Sequence, residues 1–210
     1  MIINYYGAGC LRVQFGDKVV AFNPISKDFN QVKPVRFGAD TALVSANVPA
    51  CNGVEGLRSS TDGSMIIDGP GEYEIGGEFI EGFETVGPDR IINTVYTVEL
   101  EGMNIVHLGL LTEQSLPDEV VEGLGSIDIL FVPAGGLGSV QPQVAAKLAA
   151  SLGAKLVIPV FPVDEKKAKD SFEIVAKELG GDKVKPLEKI SLKRKDIENK
   201  TAEPLILAAQ

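Results

Sequence analysis

The chain has one histidine, two cysteines and no tryptophan in 210 residues. Zinc, iron and copper sites draw chiefly on imidazole and thiolate. One imidazole and two thiols cannot furnish a two-metal site of that kind. A site for magnesium, calcium or manganese built only from carboxylates stays open. Two cysteines, Cys10 and Cys51, make no disulfide framework and fit a reducing compartment, so a cytoplasmic location is expected. No apolar run approaches the length of a membrane span. Met1-Ile2-Ile3-Asn4-Tyr5-Tyr6 has no basic leader and reads as a strand, so no signal peptide is expected. A formal net charge of −9 repels phosphate backbones, which argues against nucleic acid as a partner.

What is present is ordinary for a globular protein: 44% hydrophobic and 23% charged residues, enough for one sizeable core. Ile2–Tyr6, Leu11–Phe15 and Val19–Phe22 read as strands joined by glycine turns, and residues 25–38 as loop. Ala42–Ser45 is a short buried strand that breaks into Ala46-Asn47-Val48-Pro49-Ala50-Cys51, a loop with almost no chemical equipment. Residues 53–63 read as loop or one helical turn, and Met65–Asp68 as a strand. In 71–83 alternation sets Tyr73 and Ile75 against Glu72 and Glu74, with a bend or bulge at the glycine pair.

Ile91–Leu100 is the strongest strand signal, and Glu101-Gly102 turns it back into Asn104–Leu108. A short helix is predicted at 117–123, buried strands at 128–132 and 155–159, amphipathic helices at 141–152 and 164–179, and short strands near 184–193 and 203–208. Residues 2–45 and 91–132 each show a hairpin followed by a lone apolar strand. That suggests a single domain, 1–210, of two pseudo-repeated halves with two facing sheets and helices outside.

Few residues offer chemistry. Cys51 is a candidate nucleophile, but a free cysteine is more often a small buried hydrophobe, and His107 is the sole imidazole that could serve as its base. Asp68, Glu72 and Glu74 could form an acid–base or hard-cation cluster, although a solvated face is the commoner outcome. Gly135 and Gly136, in a turn before a helix, could offer amides to an anion, yet the turn lacks the lysine and glycine spacing of a phosphate loop. Lys189, Lys193, Arg194 and Lys195 alternate with acids and read as a solvated edge.

The motifs resemble the metallo-β-lactamase fold family, in particular its small lactonase-like bacterial members. Where those carry Gly-His-Ser-Cys and Asp-Pro, this chain has Gly7-Ala8-Gly9-Cys10 and Asn23-Pro24. The signature Ser-His-x-His-x-Asp-His is replaced by Ser45-Ala46-Asn47-Val48-Pro49-Ala50-Cys51, His-Leu-Gly-Asp by His107-Leu108-Gly109-Leu110, and Ile-Pro-Met-His by Ile158-Pro159-Val160-Phe161. The subgroup segment Asp68–Glu74 and the turn Val132-Pro133-Ala134-Gly135-Gly136 are intact. The resemblance implies a four-layer αββα sandwich. It also implies that the imidazole positions are held by Ala46, Val48, Cys51 and Phe161, and the aspartate positions by Ala50 and Leu110.

On that frame the metal-activated water of such hydrolases has no usual ligands, and no cofactor is expected. If Phe161, Leu110 and Val48 converge, they form an apolar plug, each side chain contributing roughly 1.5–3 kcal/mol of burial. The expectation is a non-catalytic relative that binds a ligand or partner, as a homo-oligomer or paired with an active paralogue. The alternative is a hydrolase of a small ester, lactone or phosphoester using carboxylate-held Mn²⁺ or Mg²⁺, or the Cys51 thiol.

Overall fold

The computed structural model describes residues 1–58, 63–181 and 184–210. Two sheets face each other. The first runs β12-β1-β2-β3-β4-β5, from Ile2–Tyr5 (β1), Leu11–Phe15 (β2), Lys18–Phe22 (β3), Thr41–Leu43 (β4), Met65–Ile67 (β5) and Ile190–Ser191 (β12). The second runs β13-β11-β10-β9-β8-β7-β6. Its strands are Gly71–Ile75 (β6), Glu78–Val86 (β7), Ile92–Leu100 (β8), Met103–His107 (β9), Ile129–Pro133 (β10), Leu156–Val160 (β11) and Glu203–Pro204 (β13). The helices are Asp118–Leu124 (α1), Pro142–Ser151 (α2) and Glu165–Glu178 (α3).

Alternation of apolar residues sets the two faces of each sheet. Val20, Phe22 and Leu43 point into the main core between the sheets, whereas Val19, Ala21 and Ala42 point outward under Phe37, Val54 and Leu57. Among the described residues, the outer cover of the first sheet is therefore loop and one 3₁₀ turn, Val54–Gly56, not an α-helix. The second sheet carries the helices: α1 lays Gly123 against the Phe83 ring, and α2 packs on β10 with α3 alongside. β10 and β11 are buried along their whole length, as their continuous apolar runs require.

The glycine pair at 76–77 forms neither a bend nor a bulge. Ile75 pairs with Glu78 across it, and φ values of +60° and +82° at Gly76 and Gly77 make a two-residue hairpin turn that suits the sheet twist. Part of the 53–63 prediction lies outside the described residues. No described helix is long and apolar enough to cross a membrane.

Strand direction gathers the loops that matter. β3 and β4 are parallel, so Asn23 and the 44–51 loop leave the first sheet at one end. β9, β10 and β11 are parallel too, so the chain leaves the second sheet at His107, Pro133 and Val160 together. Cross-links join these ends: Thr94 N–H donates to Ser45 O, and Phe161 N–H to Ala8 O.

Candidate functional site

Ser45 ends the buried strand with its amide bound to Asn23 Oδ1 at 2.7 Å, which turns the chain into the 46–51 loop. Tyr96 crosses from the opposite sheet and donates its hydroxyl to Val44 O at 3.1 Å. The loop then tightens through Val48 N–H to Ala46 O and Cys51 N–H to Val48 O. Ala46, Ala50 and Cys51 are buried in the main core, and Val48 packs half-buried against it. Leu110 is buried as well; its amide donates to Asn93 Oδ1 at 2.7 Å. Asn93 also donates to Thr85 Oγ1 and Leu108 O, so one carboxamide pins the whole turn. Gly109, with φ +60°, must be glycine here, because a Cβ would sit 2.2 Å from Asn93 Oδ1 and 2.7 Å from Ser45 Cβ.

Phe161 follows β11 directly at this end of the sandwich. It is fully buried, and its backbone is held at φ +86°, a conformation that opposes any side chain. The ring lies against Gly9 so closely that a Cβ there would stand 2.2 Å from Cζ. Glycine at 9 is thus the space into which the ring fits. No local sequence signal identifies this pairing.

His107 sits beside the ring, edge to face at 5.9 Å, and stacks on Phe22 at 5.4 Å. Its Nδ1 accepts the Gly109 amide at 2.9 Å, which leaves the proton on Nε2, 3.2 Å from Gly9 O. Both nitrogens are therefore engaged by backbone. Burial lowers the imidazole pKa to about 4, against a smaller opposing effect of the Gly9 carbonyl, so the ring is neutral at pH 7. It is not placed as a base for Cys51. The Cys51 thiol is fully buried, and burial raises its pKa, with Cys10 adding to the rise. A neutral, enclosed thiol is a poor nucleophile.

The remaining candidates lie elsewhere. Glu72 and Glu74 are exposed on β6, paired in register with Glu81 and Phe79. They line a ≈ 550 Å³ groove on the outer face of the second sheet, not the loop end. Asp68 is exposed where the chain crosses between sheets. The Gly135 amide is engaged by Val140 O and so is not free for an anion. Gly136 borders a ≈ 600 Å³ cleft with the first turns of α2 and α3.

At the positions the resemblance gives to metal donors, Ala46, Ala50, Leu110 and Phe161 offer only methyl, isobutyl and phenyl groups. The donor set at the loop end is one backbone-bound imidazole and two buried neutral thiols, Cys10 and Cys51, which does not fit such an ion. Among the described residues no three His, Cys, Asp or Glu side chains gather in a metal-holding group.

Comparison with solved structures matches this architecture. A candidate Zn-dependent hydrolase of the metallo-β-lactamase superfamily from Thermotoga maritima superposes with a TM-score of 0.73 at 25% identity, over 99% of both chains. Igni18, a metallo hydrolase from Ignicoccus hospitalis, gives 0.61 at 16% identity over 91% of this chain and 99% of its own. YhfI, a metallo-β-lactamase fold protein from Bacillus subtilis, gives 0.60 at 11% over 99% and 96%. No curated protein sequence matches the chain significantly. The family described as beta-lactamase superfamily domain matches residues 2–161. With that match over most of its length, and with the two-sheet fold, the chain belongs to the metallo-β-lactamase superfamily.

Proposed function

We propose that this chain is a non-hydrolytic member of the superfamily that binds a ligand or partner. Its place is in the lactonase-like subgroup suggested by Asp68–Glu74. The carrying observation is the fit of the Phe161 ring against Gly9. A hydrolase of this fold needs a hydrated, ligand-lined cavity for a metal-bound water of lowered pKa. A fully buried phenyl group, in the same core as Leu110 and Ala46, is on this reading what takes that volume. Polar ligands without an ion would be costly in such a place, and apolar replacements remove the cost. The thiol alternative lacks support, since Cys51 has neither access nor a base.

The test is turnover of small lactones, aryl esters and phosphodiesters, with and without added Zn²⁺ or Mn²⁺. The reading expects rates equal to buffer in every case. Metal-dependent turnover that disappears on substituting Cys51 or His107 would overturn it.

A further inference from the structure

A ≈ 600 Å³ cleft beside the plugged end is lined by charged residues at the start of α3 and by three glutamines. The charged residues lie on a single face: the N-cap Asp164, then Lys167 and Asp170 of α3 at three-residue intervals, with Ser171 and Ile174 on the same face. The three glutamines are Gln31, Gln141 and Gln143. The cleft is also bordered by Gly136, at φ +84°, where a Cβ would stand 2.8 Å from Phe161 O. The cleft therefore abuts the backbone of the residue that fills the old site.

The charges on this face alternate: carboxylate, ammonium, carboxylate. Lys167 makes no ion pair with either neighbour; Asp164 instead caps the helix, accepting from the Lys167 amide at 2.9 Å. The lining thus carries both signs, and its net charge of −1 (one lysine, two aspartates) disfavours a simple anion. A simple cation would meet Lys167. A ligand with an ammonium and a carboxylate satisfies both. Three helical residues rise about 4.5 Å, and splaying of the side chains lengthens that spacing at their tips. An extended dipeptide, at about 3.5 Å per residue, holds its two charges about 6–7 Å apart. A free amino acid brings them closer together. The three glutamines that also line the cleft, each carboxamide both donor and acceptor, suit a peptide group.

The geometry points to a binding site for an unblocked dipeptide, its ammonium at Asp170 and its carboxylate at Lys167. This inference rests on the reading of the chain as a ligand-binding, non-hydrolytic protein and names its ligand class. Because the charged groups are solvated, affinity is on the order of 1 mM.

The test is titration of the full ¹⁵N-labelled chain with Ala-Gln, N-acetyl-Ala-Gln and Ala-Gln amide, following amide shifts at Gly136, Leu137 and the first turn of α3. Ala-Gln is expected to give a saturable shift there, with each blocked peptide weaker by about two- to fivefold. Asp170→Asn should erase the difference between Ala-Gln and its N-acetyl form, and Lys167→Gln the difference from the amide. Both are surface changes, and circular dichroism confirms the fold. No saturable shift, equal binding of the blocked peptides, or the same shifts with inorganic phosphate would overturn the site. Free alanine in the sample separates the two readings: cleavage of Ala-Gln contradicts the non-hydrolytic reading alone, while absent binding without cleavage contradicts only the dipeptide site.

Discussion

Replacing Phe161 tests the plug. Phe161→Ala empties a fully buried ring site whose neighbours, Gly9 and His107, are fixed by backbone hydrogen bonds and cannot collapse freely. Such truncations cost about 3–5 kcal/mol, and the rigid surroundings favour the upper half of that range. Alanine also keeps the left-handed strain at φ +86°. Phe161→Gly relieves roughly 1–2 kcal/mol of it and should be no worse than alanine despite losing more atoms. Gly9→Ala attacks the same contact from the other side. Its Cβ would lie 2.2 Å from Cζ, an overlap that must displace the ring and costs about 1–3 kcal/mol or more. In the Phe161→Ala background that overlap disappears. The double variant should therefore be more stable than the sum of the singles by about 1–3 kcal/mol. Urea unfolding midpoints at constant slope give all four corners of the cycle. Additive effects, or a Phe161→Ala cost below about 1 kcal/mol, would refute the packing argument.

Other outcomes follow from the same end of the sandwich. His107 has a folded pKa of about 4 against 6.5 for the free group, so below pH 6.5 the unfolded chain takes up a proton that the folded one refuses. Stability then falls with pH between about 6.5 and 4, by about 3 kcal/mol in all, and the His107 contribution levels off below 4; His107→Gln should flatten that slope in urea titrations. Cys10 and Cys51, both buried with raised pKa values, should react with a thiol reagent only on unfolding; fast labelling of native protein would contradict their enclosure. Asn93→Ala leaves the Leu110 amide and Leu108 carbonyl unpaired and should cost about 2–3 kcal/mol in thermal or urea unfolding; a neutral effect would remove Asn93 as the pin of that turn.

Much of the fold is legible because the strands are rich in β-branched residues and the long helices are amphipathic. Ile92–Leu100 and Pro142–Ser151 lie within a residue of where pattern places them. The Gly76–Gly77 hairpin is harder to read, since the same glycine pair is compatible with a bulge until the partner strand is known. The loop over the first sheet shows no periodicity, and its Phe37 and Leu57 acquire a role only once Ala21 and Ala42 face them. At the candidate site, residue identity shows what Ala46, Leu110 and Phe161 cannot do. It does not show what they touch. The Phe161 ring and amide and the His107 Nε2 meet residues 8–9, about a hundred or more positions away, and contacts at that separation leave no local trace.

The most direct measurement is elemental analysis of the protein purified without chelator, after desalting from buffer containing Zn²⁺ and Mn²⁺. The proposed filling of the former site by the buried Phe161 ring predicts transition metal far below one equivalent per chain. One equivalent or more, retained through desalting and lost on substitution of His107 or Cys51, would contradict the account.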